Sequence, residues 1–485
     1  MTLRERFPVA VVVSQAEGRR STLSALYDVD RHVPRWVACE LNARMRRAHL
    51  AETLRWPRAG WTRHVIRTQP QRARVSWFRR LGPGLITGAA DDDPSGIATY
   101  SQAGAQFGVN MLWTVVLTYP LMAAIQAICA RIGRVTGEGL AANMARVLPR
   151  WLVHGIVLLL FVANTVNIGA DIAAMGAAAQ LVLGWGDALF AILFTAGSLL
   201  LQLFVPYHRY VHVLKWLTLA LFAYVGVLFS MQIDWGAVAR GTLWPQIAWA
   251  QDPLTMVVAI FGTTISPYLF FWQGAEEVED ETLTRSGSLL DHPEEAPAEL
   301  GRIAFDTYIG MAFSNLIAFF IILTTAVTLN KAGIRVIETS AEAAAALRPI
   351  AGEFAFLLFS LGIIGTGLLA LPVLAGSAAY AVGELRGWRI GLERKPRDAK
   401  AFYAVIVLGF VIGFAILALP ITPIRALFWS AVLNGVIAVP LMIATMTVAS
   451  SRAHLGEFVA PLGLKIVGWV ATAVMASAAL AMFVL

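Results

Sequence analysis

Apolar runs about twenty residues long recur along this chain, and no other feature constrains its folding as strongly. Roughly 20 consecutive apolar residues form a helix long enough to cross about 30 Å of hydrocarbon. About eleven such runs can be read: 82–107, 111–130, 151–183, 188–206, 211–231, 253–275, 303–329, 351–385, 402–420, 424–449 and 462–485. In lipid every backbone N–H and C=O needs a partner inside the protein, and for runs of this length that means helices. The expectation is an all-α polytopic membrane protein with about 11 transmembrane helices. Composition agrees, with 58% hydrophobic and 14% charged residues, where a soluble domain carries about 25% charged.

The net charge of +7 conceals an uneven distribution. Residues 1–80 hold seventeen arginines against six acids, about +11, so the other 405 residues sum to about −4. This segment has no lysine and no sustained helical period, and its apolar run PVAVVV is too short for a signal-peptide core or a span. It reads as a basic, disordered cytoplasmic arm, or as sequence upstream of the true start. Attraction to anionic lipid headgroups is its second reading, and no nucleic-acid partner is expected. Two cysteines, Cys39 and Cys129, make no disulfide framework.

Lysine and arginine gather in the short loops on the cytoplasmic side. With the arm inside, alternating loops place sixteen basic residues inside, among them Arg131, Arg134, Arg302, Arg386 and Arg452, against five outside, including Lys331 and Arg425. That bias favours eleven spans in the cell inner (plasma) membrane, with the N-terminus cytoplasmic and the C-terminus outside.

Two runs are interrupted. The first contains GAADDDPSGIATY, with Asp93-Pro94-Ser95-Gly96, and the sixth contains FGTTISPYLFFWQG, with Ser266-Pro267. Breaks in spans one and six suggest a five-plus-five repeat of opposite orientation, since an odd number of spans inverts the second copy. The transporter domain is then 81–485, with repeat 1 over 81–231, repeat 2 over 252–449 and an extra helix at 461–485. Paired broken helices point to a transporter's binding site near the bilayer midplane.

Proline has no N–H for the carbonyl four residues back. Pro94 therefore frees the oxygen of Ala90, and Pro267 frees that of Thr263. Asp93 and Ser266, each preceding a proline, are pushed away from helical geometry, and Gly96 eases an extended link. A carboxylate at mid-membrane costs about 2.5–3.5 kcal/mol on insertion scales and marks an ion or proton pathway. Beside liberated carbonyls it is what a hard cation binds. Neighbouring helical residues point about 100° apart, so Asp91, Asp92 and Asp93 cannot all serve one site. Asp93, at the break, is the ligand candidate, while Asp91 and Asp92 face a vestibule or a neighbouring helix.

GPGLITGAADDDPSGIATYSQAGAQFG and GTTISPYLFFWQGAEEVED resemble the first and sixth helices of the Nramp divalent-metal transporters, which share the LeuT-type inverted-repeat fold. The family pattern is Asp-Pro-Gly-Asn in helix one and Met-Pro-His in helix six. Asp93, Pro94 and Pro267 match it. Ser95 and Gly96 replace Gly and Asn, Ser266 stands where the metal-binding Met would be, and Tyr268 where the His would be. Thr263 falls at the position whose carbonyl coordinates metal in the family. The changed set is similar to the Nramp-related magnesium transporter branch. A thioether favours transition metals, so its loss to Ser266 removes discrimination against magnesium. Smaller side chains at 96 and 266 suggest a roomier site, suited to Mg²⁺, which keeps several waters. A phenol at 268, titrating at about 10, does not replace a proton-carrying histidine.

In the third span, Asn164, Asn167 and Asp171 lie on one helix face at spacings of three and four. Asp171 either holds the outer water shell of the ion and lines its exit, or hydrogen-bonds helix one. Asn434, in the tenth span, either completes the site or bonds helix to helix. Gln273 and Gln102 are weaker candidates of the same kind. Gly362, Gly365 and Gly367 permit close helix packing. GAEEVEDE, with Glu276, Glu277, Glu279, Asp280 and Glu281, reads as a solvated face paired with arginines, or as a cation exit funnel. No HExxH, phosphate loop or nucleophile elbow appears, so neither an enzyme nor a bound cofactor is expected.

The resulting expectation is a monomeric carrier of Mg²⁺, and also of Mn²⁺, working by alternating access without proton coupling. Its metal set is Asp93 and Thr263, with Ala90, Gly96, Ser266, Asp171 and Asn434 around them. The alternatives are a proton-coupled Mn²⁺/Fe²⁺ importer and a LeuT-fold carrier of a small organic solute.

Overall fold

The computed structural model describes residues 87–484, apart from 89, 208, 210–213, 215, 246–248 and 285; the basic arm of residues 1–80 lies outside the described residues. Every regular element described is helical. Helical residues at 87, 88, 90 and 91 are followed by α1 (Pro94–Phe107), α2 (Leu112–Thr136), the loop helix α3 (Leu140–Val147), α4 (Arg150–Leu183) and α5 (Asp187–Phe204). Then come α6 (Phe222–Ser230), α7 (Trp235–Leu243), α8 (Gln251–Thr264), α9 (Pro267–Thr284) and α10 (Ala296–Thr325). The short α11 (Ser340–Ala345), α12 (Ala355–Arg386), α13 (Lys400–Ile416), α14 (Pro423–Ser450) and α15 (Leu462–Val484) complete the chain.

Eight helical segments among the described residues are long and apolar enough to cross a membrane. One of them, Pro94–Thr136, joins the first two runs through a 3₁₀ turn, and two shorter apolar helices, Leu217–Ser230 and Lys400–Ile416, stand at the fifth and ninth.

Both interruptions are real breaks. Asp92 and Asp93 are non-helical between the helical residues 90 and 91 and α1, and Ile265 and Ser266 separate α8 from α9. Each proline opens the helix that follows, as the first helical position tolerates a missing N–H. The link in the first span therefore precedes Pro94. Gly96 lies inside α1, not in the extended link that the sequence suggested.

Glycines let backbones touch where no side chain fits. A Cβ on Gly262 of α8 would stand 2.1 Å from the Ala431 carbonyl oxygen and 2.3 Å from the Gly435 nitrogen of α14. Gly262→Ala should therefore cost about 1–3 kcal/mol, read as a lower melting temperature of the purified protein; an unchanged melt would remove this packing account. Gly365 and Gly367 behave as expected, since a Cβ there would meet Leu217 Cβ at 2.4 Å and Met175 Sδ at 2.5 Å.

The acidic end of α9 is paired with arginines, as one reading expected, but it is partly to fully buried rather than solvated. Glu277 is fully buried, and its Oε2 accepts from Arg302 at 2.6 Å. Arg134, buried on α2, lies 3.5 Å from Glu281 and donates to the Gly287 carbonyl at 2.7 Å. Glu279 accepts from the Tyr380 hydroxyl and the Glu393 N–H. These acids bolt α9 to α2, α10 and α12. Nearby, Glu384 at the end of α12 accepts from the first N–H groups of α3, at Ala141 and Ala142.

Candidate metal-ion site

The two breaks meet. Ser95 Oγ of α1 lies 3.4 Å from Thr263 Oγ1 of α8, and Tyr268, in the first turn of α9, donates its hydroxyl to the Ala90 carbonyl at 3.2 Å. Asp93 adopts extended backbone geometry (φ −70°, ψ 171°) and is the N-cap of α1. Its Oδ1 accepts from the Gly96 N–H at 2.8 Å and the Ser95 hydroxyl at 2.7 Å. Its Oδ2 accepts from Asn167 Nδ2 of α4, also at 2.8 Å. The sequence explains this local shape: an aspartate before a proline cannot continue a helix but can cap the next one.

All three acids are buried, and their roles separate. Asp91 Oδ2 and Asp92 Oδ1 share Ser314 Oγ of α10, at 2.5 and 3.2 Å, so the pair faces a neighbouring helix. Asp93 alone turns toward α4 and α8. Among the described residues no lysine, arginine or histidine pairs with Asp93 or Asp171.

The liberated carbonyls are not bare, which corrects the sequence expectation. Ser266 donates to the Thr263 oxygen at 2.7 Å, with the Gly262 oxygen 3.2 Å away, and Tyr268 covers Ala90. A carbonyl oxygen has two lone pairs, so each hydroxyl occupies one acceptor direction and leaves the other. Nor is the position of Gly96 roomy. A Cβ there would already touch Thr263 Oγ1 at 3.2 Å and Tyr100 Cε2 at 3.3 Å. The hydroxyl of Tyr100 in turn lies 2.9 Å from Thr264 Oγ1. The volume that a larger side chain would fill is taken up by the close approach of α1 and α8.

Unsatisfied polar atoms surround this core. Both carboxylate oxygens of Asp171, Oδ1 of Asn167 and both amide atoms of Asn434 are buried without a hydrogen-bond partner. A buried polar group left unpaired costs about 1–3 kcal/mol, and in native structures such groups call for an explanation. Most of these are acceptors, so what would satisfy them is a donor or a cation. Among the described residues no three acidic, cysteine or histidine side chains converge as a metal cluster. The candidate donors are the Asp93 and Asp171 carboxylates, backbone carbonyls, hydroxyls and amides, hard oxygen ligands of the kind that suit Mg²⁺ or Mn²⁺.

Asn167 was on the face flagged in the sequence but not chosen there, although it alone of α4 bonds Asp93. Its spacing from Asp171 was the available signal. Asn164 instead donates to the Leu374 carbonyl and Ser377 of α12. Gln273 accepts from Thr87, and Gln102 binds the Arg335 carbonyl and the Ile337 N–H beyond α10, so both fasten helices.

A family profile described as Natural resistance-associated macrophage protein-like matches residues 84–485. The divalent metal cation transporter MntH of Acidiphilium cryptum is 27% identical over 400 residues, covering 79% of this chain and 86% of that one. A protein of the same description from Yersinia pestis is 28% identical over 300 residues, 60% of this chain and 69% of that one. A variant of the Eremococcus coleocola manganese transporter superposes with TM-score 0.66 at 16% identity, covering 89% of each chain. MHP1, a nucleobase-cation-symport-1 family transporter, superposes with TM-score 0.51 at 12% identity, covering 83% of this chain and 91% of its own. The structural likenesses carry the fold alone.

Proposed function

The chain belongs to the Nramp family, and from that premise we propose that it is a secondary transporter of divalent metal cations. Its cargo is Mg²⁺, and also Mn²⁺, moved by alternating access and not coupled to protons. One observation carries this reading: a buried carboxylate with no basic partner among the described residues, at a helix break, within a field of unsatisfied oxygen acceptors. The relatives described as divalent metal cation transporters support the substrate class.

Asp93 supplies the charge that a dication requires. Thr263 and Ala90 offer carbonyl oxygens on the two sides of the gap, and Ser266 sets how far the Thr263 oxygen is engaged. Gly96 lets α8 come close enough for both to serve one ion. Asp171 and Asn434 accept from water molecules that the ion keeps; Mg²⁺ sheds its water reluctantly, so acceptors placed beyond direct contact are useful to it. The missing thioether removes the soft ligand that would favour transition metals. Tyr268 donates to a backbone oxygen, and a phenol so engaged does not shuttle protons near neutrality.

We assign the protein to the inner (plasma) membrane as a monomer, with residues 1–80 as a cytoplasmic arm, the C-terminus outside and eleven crossings. Repeats at 81–231 and 252–449 and a final helix at 461–485 complete this arrangement. The loop charge bias supports the orientation.

Flux into liposomes tests the function. Mg²⁺ and Mn²⁺ should accumulate down their gradients with no change in a lumenal pH dye. Acidification with each metal pulse would instead identify a proton-coupled Mn²⁺/Fe²⁺ importer. Inhibition by organic solutes without metal affinity would identify a carrier of small organic molecules.

A further inference from the structure

A cavity of about 750 Å³ lies between α4 and α5 on one side and α14 and the last turn of α15 on the other. Small side chains line its α4 and α5 side, at Ala170, Ala173 and Ala188. Its volume falls within the range of ligand pockets, about 300–1,000 Å³. At its mouth stand Leu419, Ile421, Trp429 and Phe483, all more than half exposed. In water such a patch would be a liability, but here it continues the lipid-facing surface of a membrane protein.

Among the described lining residues the one formal charge is Asp187, at the start of α5. Its Oδ1 accepts from the Ala188 N–H at 2.8 Å, and the residue is exposed. Trp185 and Trp429, both well exposed, mark this level as the membrane interface, where tryptophan concentrates. An acid at headgroup depth beside an acyl-sized cavity favours a headgroup with a cation.

We infer that this cavity seats one acyl chain of a phospholipid with an ammonium headgroup, such as phosphatidylethanolamine, and that Asp187 meets the ammonium. The position matters for the site. On α14, Leu433 and Val436 line the cavity, while Asn434 and Gly435, between them, belong to the site and to the α8 contact. The chain would back the helix that forms one wall of the proposed ion site. The inference rests on the membrane fold and not on the choice of cargo.

Native mass spectrometry of the full chain released from nanodiscs tests it, with phosphatidylethanolamine and phosphatidylglycerol of matched chains in equal amounts. The wild type should retain one lipid, the ethanolamine form preferred about fivefold, as expected for one charge near the membrane surface. Asp187→Asn should keep the lipid but bring the preference close to parity. Ala173→Trp and Ala188→Phe, which fill the cavity from two different helices, α4 and α5, should each lose it, so misfolding of one still leaves the other. Equal retention in wild type and a folded filled variant would overturn the inference. So would a preference for the anionic lipid, or a dimer that buries this face.

Discussion

Asp93→Asn should reduce Mg²⁺ and Mn²⁺ uptake by about 100-fold or more while the protein still folds. The amide remains a competent N-cap, because asparagine ranks with aspartate there, so the Gly96 N–H keeps a partner. What disappears is the negative charge. Removing one side of a buried, compensated charge pair costs about 3–5 kcal/mol, and each 1.4 kcal/mol is about tenfold in binding. The structure offers no substitute at the break, since Asp91 and Asp92 are engaged by Ser314 on another helix. Asp93→Ala is the less informative change, for it also removes the cap. Flux in liposomes together with isothermal titration of Mn²⁺ would measure the effect. Near-normal binding by the asparagine variant, with a normal melting curve, would remove Asp93 from the site.

Ser266→Met should reverse the metal preference, raising uptake of Mn²⁺ and Cd²⁺ relative to Mg²⁺ by about tenfold or more. The substitution acts in two ways. It brings a soft thioether to the second break, which selects against hard, strongly hydrated ions. It also withdraws the hydroxyl that now covers the Thr263 oxygen, leaving that carbonyl to seek a cation. Competition of Mg²⁺ against Mn²⁺ flux gives the ratio directly. If the ratio stays at the wild-type value in a folded variant, selectivity is set elsewhere, and the acceptors of Asp171 and Asn434 are the next place to look.

The breaks at Pro94 and Pro267 were legible from single residues, because a missing N–H is a local fact. So was the place of Asp93 at the first of them. The capping of Thr263 was partly legible, since a serine commonly bonds the carbonyl three or four residues back. The cover of Ala90 by Tyr268 was not, as those residues are 178 positions apart and only the packed bundle joins them. The same holds for Ser314 beneath Asp91 and Asp92. The run GAEEVEDE looked like a surface because its partners Arg134 and Arg302 come from helices whose placement no local pattern reveals. The exchange of side-chain size at Gly96 misled for a related reason: space vacated in a sequence is refilled when two helices can approach.

Asp93 closes the start of α1 and also provides the anion at the gap. If Asp93 holds the ion as proposed, its oxygens fall back on the Gly96 N–H, the Ser95 hydroxyl and the Asn167 amide when the ion departs, so this carboxylate is not left without donors. On the proposed reading, an emptied carrier could then reset without a replacement passenger. That freedom is what separates net filling of a compartment from mere one-for-one swapping across its wall.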